Sequence, residues 1–343
     1  MILPYKTRRF FRGLAVTLLV LVLVLVIGLL VWLLWLDRYV VYTRDGAVLD
    51  FDLPDKVASG QLAVPPDDDV TVSIYYNEGD NALNISTELG QLVGYYIDAN
   101  MLEKDMATVL SQLKKLPPQT PIMVEMKDIA GRFFYQTSLG PIRSNIDPNA
   151  MNELMRVLKL SDFYLIAKFP SLRDYYYGLE HVSDGIFLKS GMGLWMDDNR
   201  CYWLNPESQG TLSYIIQIIA ELKQMGFNEV VLGDFAIPYS EKIKFNGDRN
   251  VILEAAAKKL LETSGSDRFT VSFCVTSASF PLPEGRTRLY LENQTASEIK
   301  TLAEETVFAD KNIKLVFITD LNDTRFDDYG VLRPLNTAQL EEE

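Results

Sequence analysis

Five carboxylates stand at or just past the ends of short apolar runs: Glu125, Asp128, Asp234, Glu292 and Asp320. Two such groups facing one another across a ligand can divide a proton transfer. One protonates a leaving oxygen and the other attacks or activates water, at about 5 Å apart for retention of configuration and wider for inversion. Asp234 and Glu125 form the foremost candidate pair, since each ends an apolar run in a comparable frame. Lys127, Asp128, Trp195, Tyr202, Trp203, Asn205 and Glu292 are the candidate ligand contacts. Tyr175, Tyr176 and Tyr177 join the last three aromatic residues in one loop-rich region, where rings can stack on sugar faces. Each candidate also has a plainer reading. Glu125 alternates with Val124 and Met126 and can serve a buried ion pair, Lys127 and Asp128 can position the turn before Gly131, and the rings can be core.

Other chemistries have less to stand on. Cys201 and Cys274 are too far apart in sequence for a metal knuckle, and with the single His181 they assemble no zinc-ligand cluster, so no metal and no cofactor is expected. Structural thiols are the simplest reading of both cysteines. Nothing beside His181 resembles a nucleophile with its base. The chain carries 33 basic and 46 acidic residues, a formal charge of −13. Lys6, Arg8, Arg9 and Arg12 all precede residue 37, so the remainder holds 29 basic against 46 acidic groups, or −17. Phosphate backbones repel such a domain, and nucleic acid is not an expected partner.

The elements that must position these residues centre on the stretch Asn205 to Pro238. Asn205 reads as the cap of a helix with Pro206 at its first position and Gly226 as its left-handed stop. Between them Leu212, Ile215, Ile216, Ile219, Ala220, Leu222 and Lys223 recur at helical spacing, forming a stripe that packs on a sheet. Phe227 to Phe235 then reads as a parallel strand covered on both faces and ending in Asp234. Around this unit strands are expected at 92–97, 121–126, 163–169, 269–275, 288–292 and 314–319. Helices are expected at 102–116, from the Asp147-Pro148 cap to Leu160, at 250–264, and after a Thr295-x-x-Glu298 capping box. Repeated strand and helix over 91–320 makes seven or eight units. That suits a (β/α)8 TIM-like barrel, complete or one unit short, better than an open sheet, and no Gly-rich loop follows the first strand to suggest a dinucleotide site.

Ahead of the barrel, residues 1–13 form a basic tail. Leu14 to Leu36 is apolar throughout save Thr17, and at roughly 1.5 Å per residue it exceeds a hydrocarbon core of about 30 Å. It reads as a retained single-pass anchor, the basic residues before it holding the N-terminus in the cytoplasm and the rest outside. Residues 37–90 read as a stalk with short β structure around an Asp45-Gly46 turn, and 321–343 as an acidic tail.

The run Val124-Glu125-Met126-Lys127-Asp128-Ile129-Ala130-Gly131 with Tyr135, then Trp203-Leu204-Asn205-Pro206, then Gly226 to Pro238, resembles a family of bacterial surface proteins known as putative glycosyl hydrolases. The resemblance covers roughly residues 90 to 280 and implies a sugar-directed barrel similar to those of the α-amylase-like clan. This sequence departs from the family where it matters. The strand after Gly-Phe ends in such domains in Asp-Tyr-x-Arg-Phe-Pro; here Gly233 stands at the acid, Asp234 is displaced by one, and Ala236 replaces the arginine. A displacement of one turns a strand side chain to the opposite face. The following strand, Thr270 to Val275, ends without a carboxylate. Two functions stay open: a membrane-anchored barrel at the cell surface that binds envelope or extracellular glycan with lost or altered catalysis, and an active hydrolase using Asp234 with Glu125 or another strand-end acid.

Overall fold

The structure is a computed structural model that describes residues 25, 40–43, 46–49 and 89–337. It divides into two units, Met1–Gln61 and Leu62–Glu343. In the first unit β1 (Val40–Thr43) and β2 (Gly46–Leu49) pair antiparallel with Thr43 opposite Gly46. Gly46 therefore opens the second strand instead of completing the turn. The apolar run from Leu14 to Leu36 lies outside the described residues except for Leu25; among the described residues no helix is long and apolar enough to cross a membrane.

The second unit is a closed barrel of eight parallel strands: β3 (Val93–Ile97), β4 (Pro121–Glu125), β5 (Tyr164–Pro170), β6 (Glu229–Gly233), β7 (Thr270–Cys274), β8 (Leu289–Glu292), β9 (Leu315–Ile318) and β10 (Gly330–Pro334). They pair in chain order, and β10 closes the ring between β9 and β3. Closure by Gly330–Pro334 corrects the sequence expectation that the barrel ends at 320 and leaves a tail. Only Val331 and Leu332 in that strand are aliphatic, too short a run to register as an element, and its membership follows from pairing with two neighbours. Gly330 is required there because a Cβ would come within 2.8 Å of Val316 Cγ2.

Alternation along the strands sorts side chains into two cores. Met123, Ile166, Val231, Tyr290, Val316 and Leu332 fill the barrel interior, while the opposite faces join the surrounding helices. All five residues of β6 are buried, as a strand covered on both sides demands. At the amino end of the barrel Glu229 is fully buried and satisfied by Arg288, by the hydroxyls of Tyr164 and Tyr290, and by Ser272 at 2.6 Å. This network plugs the closed end.

The helices are α1 (Ala99–Lys104), α2 (Met106–Leu113), α3 (Pro148–Leu160), α4 (Tyr175–Glu180), α5 (Gln209–Gln224), α6 (Arg249–Ser264), α7 (Ile299–Glu305) and α8 (Lys311–Lys314). The single helix expected over 102–116 is interrupted at Asp105, whose backbone leaves the helical region (φ −144°). In α5 the cap is Ser208, whose hydroxyl accepts from the Gly210 amide at 3.2 Å, and not Asn205. Asn205 is committed to the preceding turn: its amide donates to the Asp184 carbonyl at 2.7 Å and its side chain accepts from Glu207 N–H. Gly226 stops the chain in the left-handed region (φ +95°), and Leu212, Ile215, Ile219 and Leu222 are buried, with Ala220 and Lys223 exposed.

Candidate functional site at the carboxyl end of the barrel

Glu125, Lys168, Cys274 and Glu292 close the inner faces of β4, β5, β7 and β8. Glu125 and Lys168 are direct register partners. The Lys168 ammonium contacts Glu292 Oε1 and lies 3.6 Å from Glu125 Oε1. Since it touches both, the two nearest carboxylate oxygens are separated by no more than about 6 Å, within the span of glycosidase acid pairs. The second Glu125 oxygen accepts from the Ala99 amide at 2.9 Å, at the start of α1. The Glu125 and Glu292 side chains remain 25% and 26% exposed, against 12% for Lys168, so the acids face solvent and the amine lies beneath them. Burial opposes the Lys168 charge, yet Glu292 and Glu125 outweigh it and hold the ammonium well above its ordinary range. Cys274 is pushed up by burial and by Glu292, against Lys168, which keeps it a neutral thiol rather than a nucleophile. Cys201 is likewise a buried free thiol.

Asp234 reaches the same mouth by a local device. Gly233 ends β6 on the inner face, and the residue after it would turn outward in an extended chain. Asp234 instead adopts the left-handed region (φ +46°), which aspartate tolerates better than most residues. Its carboxylate lies 3.9 Å from Arg173 Nη1, with 31% of the side chain exposed. Burial raises its pKa; Arg173 and Lys168 pull it down, and Glu292 and Asp197 push it up. The displacement read in the sequence is thus offset by the backbone, and Asp234, Glu125 and Glu292 share one charged mouth.

Arg173 links this mouth to the long segment after β5. Its Nη2 lies 2.5 Å from Asp197 Oδ2, and its guanidinium packs 5.6 Å from the Trp203 ring. Trp203 donates its indole N–H to the same Asp197 oxygen at 3.0 Å and is only 9% exposed. Its ring is a supporting wall and offers no free face. Tyr202 stacks on Tyr175 at 5.4 Å, and Trp195 packs half-buried against the core.

Lys127 and Asp128 stand elsewhere. The strand ends at Glu125, so the alternation that aims Glu125 inward no longer governs them. Lys127 is 2% exposed and pairs at 2.8 Å with Asp174, itself held by the Tyr214 hydroxyl at 2.9 Å. Asp128 accepts from the Arg132 backbone and side chain and from Arg143, fixing the loop after β4. Both, like Asn205, hold loops in shape. Asp320 is exposed beyond β9. Sequence reading passed over Lys168, Arg173 and Asp197; a lone lysine within the apolar run Tyr164–Pro170 was the available signal for the first.

Among the described residues no group of His, Cys, Asp and Glu is placed to hold a metal ion. No curated protein matches the chain. In superposition the chain resembles a hypothetical protein from Ruminiclostridium thermocellum, at 16% identity and a TM-score of 0.45 over 52% of this chain and 96% of that one. It also resembles the GH36 α-galactosidase AgaA from Geobacillus stearothermophilus in complex with stachyose (8%, TM-score 0.49, 73% of this chain and 40% of the enzyme). A third likeness is the GH20 exo-β-N-acetylglucosaminidase from Vibrio harveyi (10%, TM-score 0.45, 66% and 41%). The match spans about two fifths of the length of these two enzymes. All three TM-scores fall below 0.5, so the barrel rests on its own strand order. The sequence match is more direct: residues 94–259, which carry Glu125, Lys168, Arg173 and Asp234, match the family described as a putative glycosyl hydrolase domain.

Proposed function

We propose that this protein is a membrane-tethered, glycan-binding barrel of the glycosyl-hydrolase type, displayed at the cell surface, in which hydrolysis is lost or strongly reduced. One observation carries the reading: the Lys168 ammonium sits between Glu125 and Glu292. Two acids that work on a glycosidic bond need the space between them for the anomeric carbon and the leaving oxygen. Here the Lys168 ammonium bridges the two acids from just beneath that space, its single positive charge offsetting one of their two and holding both carboxylates in place, while Cys274 stands where a further strand-end acid would be. Partly exposed carboxylates and Arg173 remain able to hydrogen-bond sugar hydroxyls. The tether is supported by the apolar run Leu14–Leu36 behind four basic residues, the arrangement that orients a single span with its N-terminus inside.

A second reading has its own support. Burial pushes the Asp234 carboxyl up, the direction required of a group that must donate a proton near neutrality. In an active hydrolase Asp234 would protonate the leaving oxygen, and Glu125 or Glu292 would act from across the mouth. Binding and hydrolysis measured together on a polysaccharide panel, for wild type and Asp234→Asn, separate the two. The binding barrel gives affinity without turnover, weakened a few-fold by the substitution. Turnover in the wild type that falls by orders of magnitude in Asp234→Asn overturns it in favour of the hydrolase.

A further inference from the structure

A cleft of about 440 Å³ lies on the flank of the barrel, between the loop 131–141, α4 and the first turns of α5. It shares no lining residue with the mouth formed by Glu125, Lys168, Asp234 and Glu292. Its volume falls in the range of about 300 to 1,000 Å³ typical of small-ligand sites. We propose that this cleft is a second binding site, for an uncharged glycan segment.

Three observations set the ligand class. The lining contains no lysine or arginine, and its two acids, Glu180 and Asp184, disfavour phosphates, uronic acids and other anions. Asp184 is already committed, one oxygen accepting from Ser208 at 2.6 Å and the other from the Tyr177 hydroxyl at 2.9 Å, so Glu180 is the acid of the lining left to meet a ligand, and one carboxylate makes no multidentate cation site. The side chains of Ser138, Glu180 and Gln217 line the cleft without a hydrogen-bond partner among the described residues. Together they offer donors and acceptors in the mixture that a row of hydroxyls requires.

The wall of the cleft supplies the apolar surface. Tyr214, Tyr177 and His181 stack in a ladder with centroids 4.0 and 4.3 Å apart. Both faces of Tyr177 are covered, so the ladder presents the outer face of His181, which is exposed. A planar ring bordered by hydroxyl, amide and carboxylate groups fits the C–H face and hydroxyl rim of a pyranose. The ladder is anchored from below, since Tyr214 is 5% exposed and donates to Asp174.

His181 is the chain's single histidine, so its ring carries an unambiguous NMR signal. The experiment titrates the full chain, labelled at histidine, with neutral oligosaccharides and, in parallel, with uronic-acid oligosaccharides. The expected result is a saturable shift of the His181 ring signals with a neutral oligosaccharide, reduced at least tenfold in affinity by Gln217→Ala and unchanged by Asp234→Asn. Gln217 is exposed, so its truncation leaves the fold intact. Absence of any shift at about 10 mM sugar, a response to the uronic acids alone, or a shift abolished by Asp234→Asn overturns the proposal.

Discussion

Lys168 is the residue on which the mouth turns. Replacing it by methionine leaves Glu125 and Glu292 facing each other without the ammonium. Removing one partner of a buried ion pair costs about 3–5 kcal/mol, but both acids are a quarter exposed, so a loss of about 1–3 kcal/mol is expected in urea denaturation at neutral pH. Two carboxylates so close cannot both ionise freely, and one of them takes a raised pKa in the folded variant. The stability of Lys168→Met should therefore recover as pH falls; a variant as stable as wild type at pH 7 would remove Lys168 from this role. Asp234 bears on pH in the wild type. Its folded pKa is raised, chiefly by burial, so above its ordinary carboxylate range the folded state binds more protons than the unfolded one. Stability then falls as pH rises from that range through the raised folded value, and Asp234→Asn should flatten that part of the profile. An identical profile would mean that the carboxyl is not perturbed.

At the scale of elements, α5 and the β3–β4 seam are the sensitive points. Ile219 is 1% exposed at the middle of α5, and an aspartate there would bury an unpaired charge at several kcal/mol, comparable to the roughly 5–15 kcal/mol that holds a domain together. Ile219→Asp should yield no cooperative unfolding transition by circular dichroism, while Ile219→Ala should fold with a loss of about 2–5 kcal/mol. The seam leaves less room still. A Cβ on Gly94 would lie 2.1 Å from the Pro121 carbonyl oxygen, a backbone atom that cannot rotate away. Gly94→Ala should lower the denaturation midpoint by the equivalent of about 3 kcal/mol or more, whereas an unchanged midpoint would mean that the two strands can separate without loss.

For the whole molecule, closure is the property to test. β10 bonds to both β9 and β3, so a chain ended after Asp320 loses the strand that joins the two edges. The truncated protein should expose unpaired edges at β3 and β9 and be degraded by protease within the barrel, where the full chain resists. Equal resistance would show that seven strands suffice. The tether is tested on intact cells, where external protease should release the domain if Leu14–Leu36 spans the membrane with its N-terminus inside. Complete protection would overturn that orientation.

Much of this organisation is legible in local patterns. The all-buried composition of Glu229–Gly233, the Asp147-Pro148 cap and the periodic stripe of α5 each follow from residues near one another, and their alternation already implied a parallel barrel. Glu125 and Asp234 stood out for the same reason, as acids ending apolar runs. What lay beyond reach depends on partners distant in sequence. Lys168 becomes the centre of the mouth through Glu292, separated from it by 124 residues, and Gly330–Pro334 becomes a strand only by bonding across the closure. Asp234 would have faced outward by alternation alone, and Lys127 looked as available as Glu125 until the fold buried it against Asp174. The sequence by itself determined seven of the eight barrel strands, most of the longer helices and which ends carry charge, because periodicity and capping act over a few residues. Only the tertiary structure decided which charges meet, because a side chain's direction at a strand end depends on one backbone dihedral, and its ionisation on groups brought together by barrel closure.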